Sequence, residues 1–142
     1  WSSDVCSSRS ETYGILQRED TLKEIVKLLG PEALPDEEKL ILEVARMIKI
    51  GILQQNSFDD VDTYCSPEKQ FKLMKLQVDF YNQGQQALKD GASLADIRSM
   101  EVISSLLKAR MDVKDDEMDK LDKLATDMVE QFKSVTGVKV QN

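Results

Sequence analysis

The stretch PDEEKLILEVARMIKIGIL, residues 35–53, decides the fold. Leu40, Ile41, Val44, Ala45, Met47, Ile48 and Ile52 cover more than one helical stripe, so this helix needs neighbours on several sides. Pro35 suits a first helical position, and Asp36, Glu37 and Glu38 set negative charge against the positive end of the helix dipole. Gly51 weakens the last turn. A central helix of this kind requires other helices around it, and the flanking sequence supplies them.

Upstream, Leu22, Ile25, Val26 and Leu29 follow the i, i+3, i+4, i+7 spacing of one helical face, predicting a helix over residues 11–29. Gly30 and Pro31 stop it, Gly as the C-terminal cap and Pro by forbidding continuation. Downstream, Ser66-Pro67-Glu68 reads as an N-cap, a proline at the first helical position and an acidic first turn. Phe71, Met74, Val78 and Tyr81 form a stripe there, with Leu73, Leu76 and Phe80 beside it. Asp90-Gly91 ends that helix. Ser93 and Asp96 have capping-box spacing and open a fourth helix through about Ala109. A fifth spans roughly residues 115–135, where Met118, Leu121, Ala125, Met128, Phe132 and Val135 make a three–four seam for a neighbouring helix. Nothing reads as a strand and no repeat emerges. The expected fold is all-α, a bundle of about five helices.

Residues 1–10, WSSDVCSSRS, show neither a helical nor a strand period and read as a non-native or disordered lead-in, with residues 11–142 as the folded domain. The 142 residues suffice for one domain, and 41% apolar with 32% charged residues describes a globular chain. A formal charge of −7 argues against nucleic acid or anionic lipid as partner. The absence of histidine removes His-based triads and the usual zinc sites. Cys6 and Cys65 are far apart and form no metal-type cluster, suggesting a reducing compartment and no native disulfide between them. No apolar run approaches the ~20 residues of a membrane span. These totals describe a soluble, cytoplasmic protein.

The connector after the central helix, within GILQQNSFDDVDTYCSPEKQ (residues 51–70), is longer than the roughly two to eight residues that usually join two helices. Its aspartates do not make an EF-hand: counting from Asp59, the sixth position is Tyr64 where glycine is required. No metal ligands are assigned. Phe58 and Tyr64 with Gln54, Gln55 and Asn56 have the chemistry of a purine pocket, aromatic faces for stacking and amides for the base edge. The plainer alternative is that both aromatics anchor the loop to the core. The acidic run PEALPDEE (residues 31–38) looks exposed; its charges serve solubility and the helix start, while its flanking prolines make it a stiff tip. No glycine-rich phosphate loop exists in the chain, and no catalytic residue is assigned.

The order of LKEIVKLLGPEALPDEEKLILEVARMI, LQQNSFDDVDTYCSPEKQ and FYNQGQQALKDG resembles the C-terminal helical domain of the catalytic subunit (the A subunit, or alpha chain) of archaeal-type and vacuolar-type rotary ATPases. The resemblance covers about residues 11–135, and the Q-Q-N-x-F-D-x-V-D-x-Y-C run is its most specific part. It implies that the full subunit makes or hydrolyses ATP with Mg, coupled through a central shaft to proton or sodium movement. The phosphate loop, catalytic Glu and metal site would belong to a preceding nucleotide-binding domain, so no cofactor is expected on this segment alone. Phe58 matches the first aromatic of the adenine pocket and Tyr64 the second, with Gln55, Asn56 and Val61 close by. The implied shaft contact comprises Glu32, Leu34, Pro35, Asp36, Glu37 and Glu38. Implied partners are the nucleotide-binding domain of the same subunit, the non-catalytic B subunit and the central shaft subunits. The setting would be the peripheral soluble sector of a membrane-bound complex. The rival expectation is a stand-alone helical module whose last helix grips a partner protein.

Overall fold

Helix α2 (Asp36–Ile48) forms the centre of the molecule, with Leu40, Ile41, Val44, Ala45, Met47 and Ile48 all withdrawn from water. The computed structural model describes the backbone of residues 2–53, 67–112, 117 and 119–141, and the side chains of residues 7–51, 68–109, 117 and 119–136. Among these, the elements around α2 are α1 (Ser2–Leu29), α3 (Pro67–Lys89), α4 (Leu94–Arg98), α5 (Glu101–Asp112) and α6 (Asp119–Gln141), with no strand. Helix α3 packs on α2, α1, α5 and α6, so α2 and α3 are the central pair. The expected all-α bundle is what forms.

The first ten residues depart from expectation, since α1 is helical from Ser2 onward. The reason is visible in its inward positions. Ser8, Thr12, Ile15, Glu19 and Leu22 are all buried and recur in steps of four and three. Three of the five are polar, so hydrophobic periodicity does not detect the stripe. Thr12 Oγ1 donates to the Ser8 carbonyl at 2.8 Å, satisfying its hydroxyl inside the helix. Adding such residues to an existing helix costs little, because nucleation is the expensive step.

Helix α3 also buries a different stripe from the aromatic one. Leu73, Leu76, Gln77, Phe80, Gly84 and Ala87 face inward; of the expected stripe, Val78 is buried, whereas Phe71, Met74 and Tyr81 are only half-buried. The small members of this stripe serve close approach. A Cβ at Gly84 would stand 2.9 Å from Leu40 Cδ2, so glycine is what lets α3 seat against α2.

The helix expected to run unbroken from Ser93 is divided in two. Ser93 and Asp96 do form the reciprocal capping box, at 3.2 and 3.3 Å. Ser99 Oγ then donates to the Asp96 carbonyl, and Met100 N to the Ile97 carbonyl, closing α4 after little more than one turn. Helix α5 restarts with help from far along the chain: Val102 N donates to Gln131 Oε1 on α6 at 3.0 Å. That bond satisfies one of the unpaired donors at a helix start. The break turns Ile97, Met100, Val102 and Leu106 all toward the core. The three–four seam of α6 is spent internally, with Leu121, Met128 and Phe132 buried and the Phe132 ring 5.3 Å from that of Phe80. The described part of the seam is therefore packed into the bundle rather than left open to a partner, while Met118 lies outside the described residues.

The α2–α3 approach gives a direct test. Gly84→Ala should destabilise the chain by about 1–3 kcal/mol, the usual cost of overpacking a filled core. Pairing it with Leu40→Ala should cost clearly less than the sum of the two single changes, as read from denaturant midpoints. Full additivity would mean that the two residues do not share one space.

Candidate functional site

The two segments that carried functional readings flank α2 in the sequence. At its N-terminal end is the acidic tip. Gly30 adopts φ 85°, a conformation that glycine takes without strain, and its N–H donates to the Val26 carbonyl to close α1. A 3₁₀ turn, Pro31–Ala33, follows. Its hydrogen bonds run from Ala33 N to Gly30 O and from Leu34 N to Pro31 O, both at 3.2 Å. The Pro35 carbonyl then accepts from both Glu38 N and Lys39 N, starting α2. The tip is thus a hydrogen-bonded turn between two helices.

Of the six residues expected to touch a shaft, Glu32, Pro35, Asp36 and Glu37 are exposed and Glu38 is half-buried. Leu34 differs. It is 5% exposed and belongs to the core, so it anchors the tip from within and presents no surface. Lys39 reaches Glu32 at 3.9 Å across the turn. Sequence reasoning missed two other residues. Leu29 continues the apolar spacing of α1, yet it is 72% exposed, and Leu28 is 84% exposed. The helix outruns the body at this point, which periodicity does not reveal.

At the C-terminal end, α2 passes into a π-helical turn, Lys49–Leu53, which leads directly into residues 54–66. Gln55, Asn56, Phe58, Val61 and Tyr64 lie outside the described residues, as does the loop cysteine, Cys65. What the structure describes is the frame from which that segment departs. Gly51 is packed closely: a Cβ there would lie 3.2 Å from Gln77 Nε2 and 3.4 Å from the Leu106 carbonyl oxygen. The glycine that weakens the helix end is thus also what fits the turn between α3 and α5. Gln77 is 1% exposed, and its carboxamide oxygen has no hydrogen-bond partner among the described residues.

The π turn is tied to α1 by charge. Glu19 is 4% exposed, and its carboxylate ion-pairs with Lys49 at the start of the turn and lies 3.7 Å from Lys23. Such a buried carboxylate needs partners, since an uncompensated one is strongly destabilising. The Glu19 carboxylate, above all by its hydrogen bond, holds the Lys49 ammonium above its ordinary pKa of 10.5. On the other side of α2, Glu43 binds Arg46 at 2.6 Å and approaches Arg98 of α4 at 3.8 Å. Both sets of ion pairs brace the C-terminal half of the central helix and the turn after it, one toward α1 and one toward α4.

A groove of about 500 Å³ runs between α1 and α3, edged by Glu11, Arg18, Tyr81 and Asn82. Tyr81 Oη accepts from Gln85 Nε2 at 2.6 Å, and burial pushes the phenol pKa up. Asp79 is likewise raised above 3.8, first by burial, with Lys75 opposing and Glu11 adding to the shift. Asp79 and Tyr81, two residues apart, lie on different faces of α3: Tyr81 edges the groove toward α1, and Asp79 lies beside Lys72, Lys75 and Leu121 on the side of α6.

The fold and its two ends define a helical bundle that carries a stiff acidic tip on one end of its central helix and a long polar connector on the other. The chain belongs to the family described as the C-terminal domain of V and A type ATP synthase, which matches residues 3–98. Those residues include the segment 3–10 that α1 takes up. The A-type ATP synthase A subunit of Ignicoccus hospitalis is 43% identical over 130 residues, covering 90% of this chain and 22% of the relative. That of Hyperthermus butylicus is 43% identical over 133 residues, 92% of this chain and 22% of the relative. The V-type ATP synthase alpha chain 2 of Clostridium tetani is 36% identical over 139 residues, 93% of this chain and 24% of the relative. The chain thus spans about a fifth to a quarter of the length of these relatives. Among the described residues, no helix is long and apolar enough to cross a membrane.

The α1 brace predicts a pH dependence with a definite sign. Because Lys49 titrates higher in the folded state, its stabilisation is complete below 10.5 and is lost as pH rises through the folded value. Lys49→Met should flatten the alkaline arm of the stability curve. A double-mutant cycle with Glu19→Gln should return a coupling of about 0.5–3 kcal/mol at neutral pH. Equal alkaline slopes for parent and Lys49→Met would show that the pair does not set the titration.

Proposed function

We propose that this domain caps the adenine side of a catalytic nucleotide site and transmits the associated motion to a central shaft. The full subunit, in this reading, makes or hydrolyses ATP with Mg, coupled to proton or sodium translocation. The nucleotide-binding domain of the same subunit supplies the phosphate loop, catalytic carboxylate and metal site, and the non-catalytic B subunit is the neighbour around the ring. The observation that carries the reading is the placement of α2. One buried helix of 13 residues, about 20 Å at 1.5 Å per residue, has the tip at its start and the connector just beyond its end.

Each end has its own physical task. Phe58 and Tyr64 stack against the adenine, while Gln55 and Asn56 offer donors and acceptors to its edge and Val61 lines the pocket. Stacking of this kind binds substrate and transition state alike, so it sets affinity rather than the chemical step. At the other end, Glu32, Pro35, Asp36, Glu37 and Glu38 present the tip to the shaft, with Leu34 holding it to the core. Exposed ion pairs are worth only about 0–1 kcal/mol each, so the stiffness of the turn matters more than any single charge. Between the two ends the core moves as one body, in the manner of hinge and rigid-body switches.

Two measurements test this. In the intact subunit, Phe58→Ala should raise KM for ATP roughly five- to a hundredfold, the loss of one stacked ring at about 1–3 kcal/mol, with kcat changed much less. A large fall in kcat at unchanged KM would contradict the stacking role. The 142-residue chain alone should not bind ATP at millimolar concentration in calorimetry. Stacking supplies about 1–3 kcal/mol against an association cost of about 4–15 kcal/mol.

A further inference from the structure

We infer that Leu28 and Leu29 are an apolar contact on the tip, matched to a helix of the shaft whose apolar residues are flanked by lysine or arginine. This rests on the reading of the tip as the shaft-facing end. These are the two most exposed large apolar side chains among the described residues, at 84% and 72%. A scattered exposed leucine is ordinary, but two consecutive ones continued by exposed Pro31 and Ala33 make a small apolar ridge. The fold gains nothing from them: Leu22 and Leu34 already fill the core on either side.

The surroundings select the occupant. From Glu24 to Lys39 the chain carries five carboxylates and two lysines. Both lysines are engaged locally, Lys27 by Glu24 at 3.5 Å and Lys39 by Glu32 at 3.9 Å. Asp36 and Glu37 stand exposed beyond them. An apolar ridge with an acidic fringe repels a second copy of itself and an anionic lipid surface. It is complementary to an apolar ridge with a basic fringe. The two parts of the contact then act on different steps. The desolvated leucines hold the partner and set the dissociation rate, whereas the fringe charges guide the encounter and set its salt dependence.

The test uses the full-length protein assembled into the catalytic ring, with purified shaft subcomplex binding to it at two ionic strengths. Leu28→Ser with Leu29→Ser should speed dissociation roughly ten- to a hundredfold, with the association rate and its salt dependence unchanged. Asp36→Asn with Glu37→Gln should slow association and flatten its salt dependence, with dissociation altered less than about threefold. A control separates this inference from the reading beneath it. Ala33→Cys, at an exposed position of the turn, is cross-linked to shaft amines by a short bifunctional reagent. Cross-linking together with unchanged dissociation in the double-serine variant overturns the leucine contact and leaves the tip reading standing. No cross-link in any nucleotide state overturns both. Both leucines lie outside the core, so an unchanged melting temperature of the double-serine ring confirms that faster dissociation is not unfolding.

Discussion

Burial of α2 from Leu40 to Ile48 is the constraint on which the other elements depend. A helix that is apolar on several sides must be enclosed, and each enclosing helix is fitted to it. Helix α3 approaches through Gly84, where any side chain would collide with Leu40. Helix α1 meets the far end of the central helix through Glu19 and Lys49. The two segments with functional readings are attached to the two ends of this enclosed rod. A displacement at one end therefore has no soft internal joint in α2 at which to dissipate.

The rod ends differently at its two termini, and the difference has a physical origin. At the tip, proline and a glycine with positive φ fix the chain in a short hydrogen-bonded turn. At the other end the helix widens into a π turn, a feature often found at functional positions because it redirects the chain. Gly51 fits that turn between Gln77 and the backbone of α5. Gln77 is almost fully buried beside it, its carboxamide oxygen without a hydrogen-bond partner among the described residues.

How much of this was legible in the sequence depended on whether the inward positions were apolar. The seam of α6 and the crowding of α2 were plain because Leu121, Met128, Phe132 and the α2 residues are all large hydrophobes. The start of α1 was not, because Ser8, Thr12 and Glu19 occupy its inward stripe and carry no hydrophobic signal. On helix α3, Leu73, Leu76, Val78 and Phe80 were legible as apolar positions and are buried, but Gln77, Gly84 and Ala87, which complete the interior face, carry no strong hydrophobic signal. The division between α4 and α5 depends on Gln131, a partner 29 residues away that no local pattern announces. At the tip, the charges and prolines were legible, but the inward turn of Leu34 and the outward turn of Leu28 and Leu29 were not. Those orientations depend on where the helix ends relative to the body, a property of the packed molecule rather than of spacing.

The central claim is that α2 is a rigid rod between tip and connector in the working protein. Amide hydrogen exchange of the full-length protein in its assembled ring, with and without bound nucleotide, tests it most directly. The amides of Leu40–Ile48 should exchange in the slowest class and at the same rate in both states, with nucleotide-dependent changes confined to residues beyond the π turn and to the tip. Nucleotide-dependent opening of the α2 amides themselves would contradict the account.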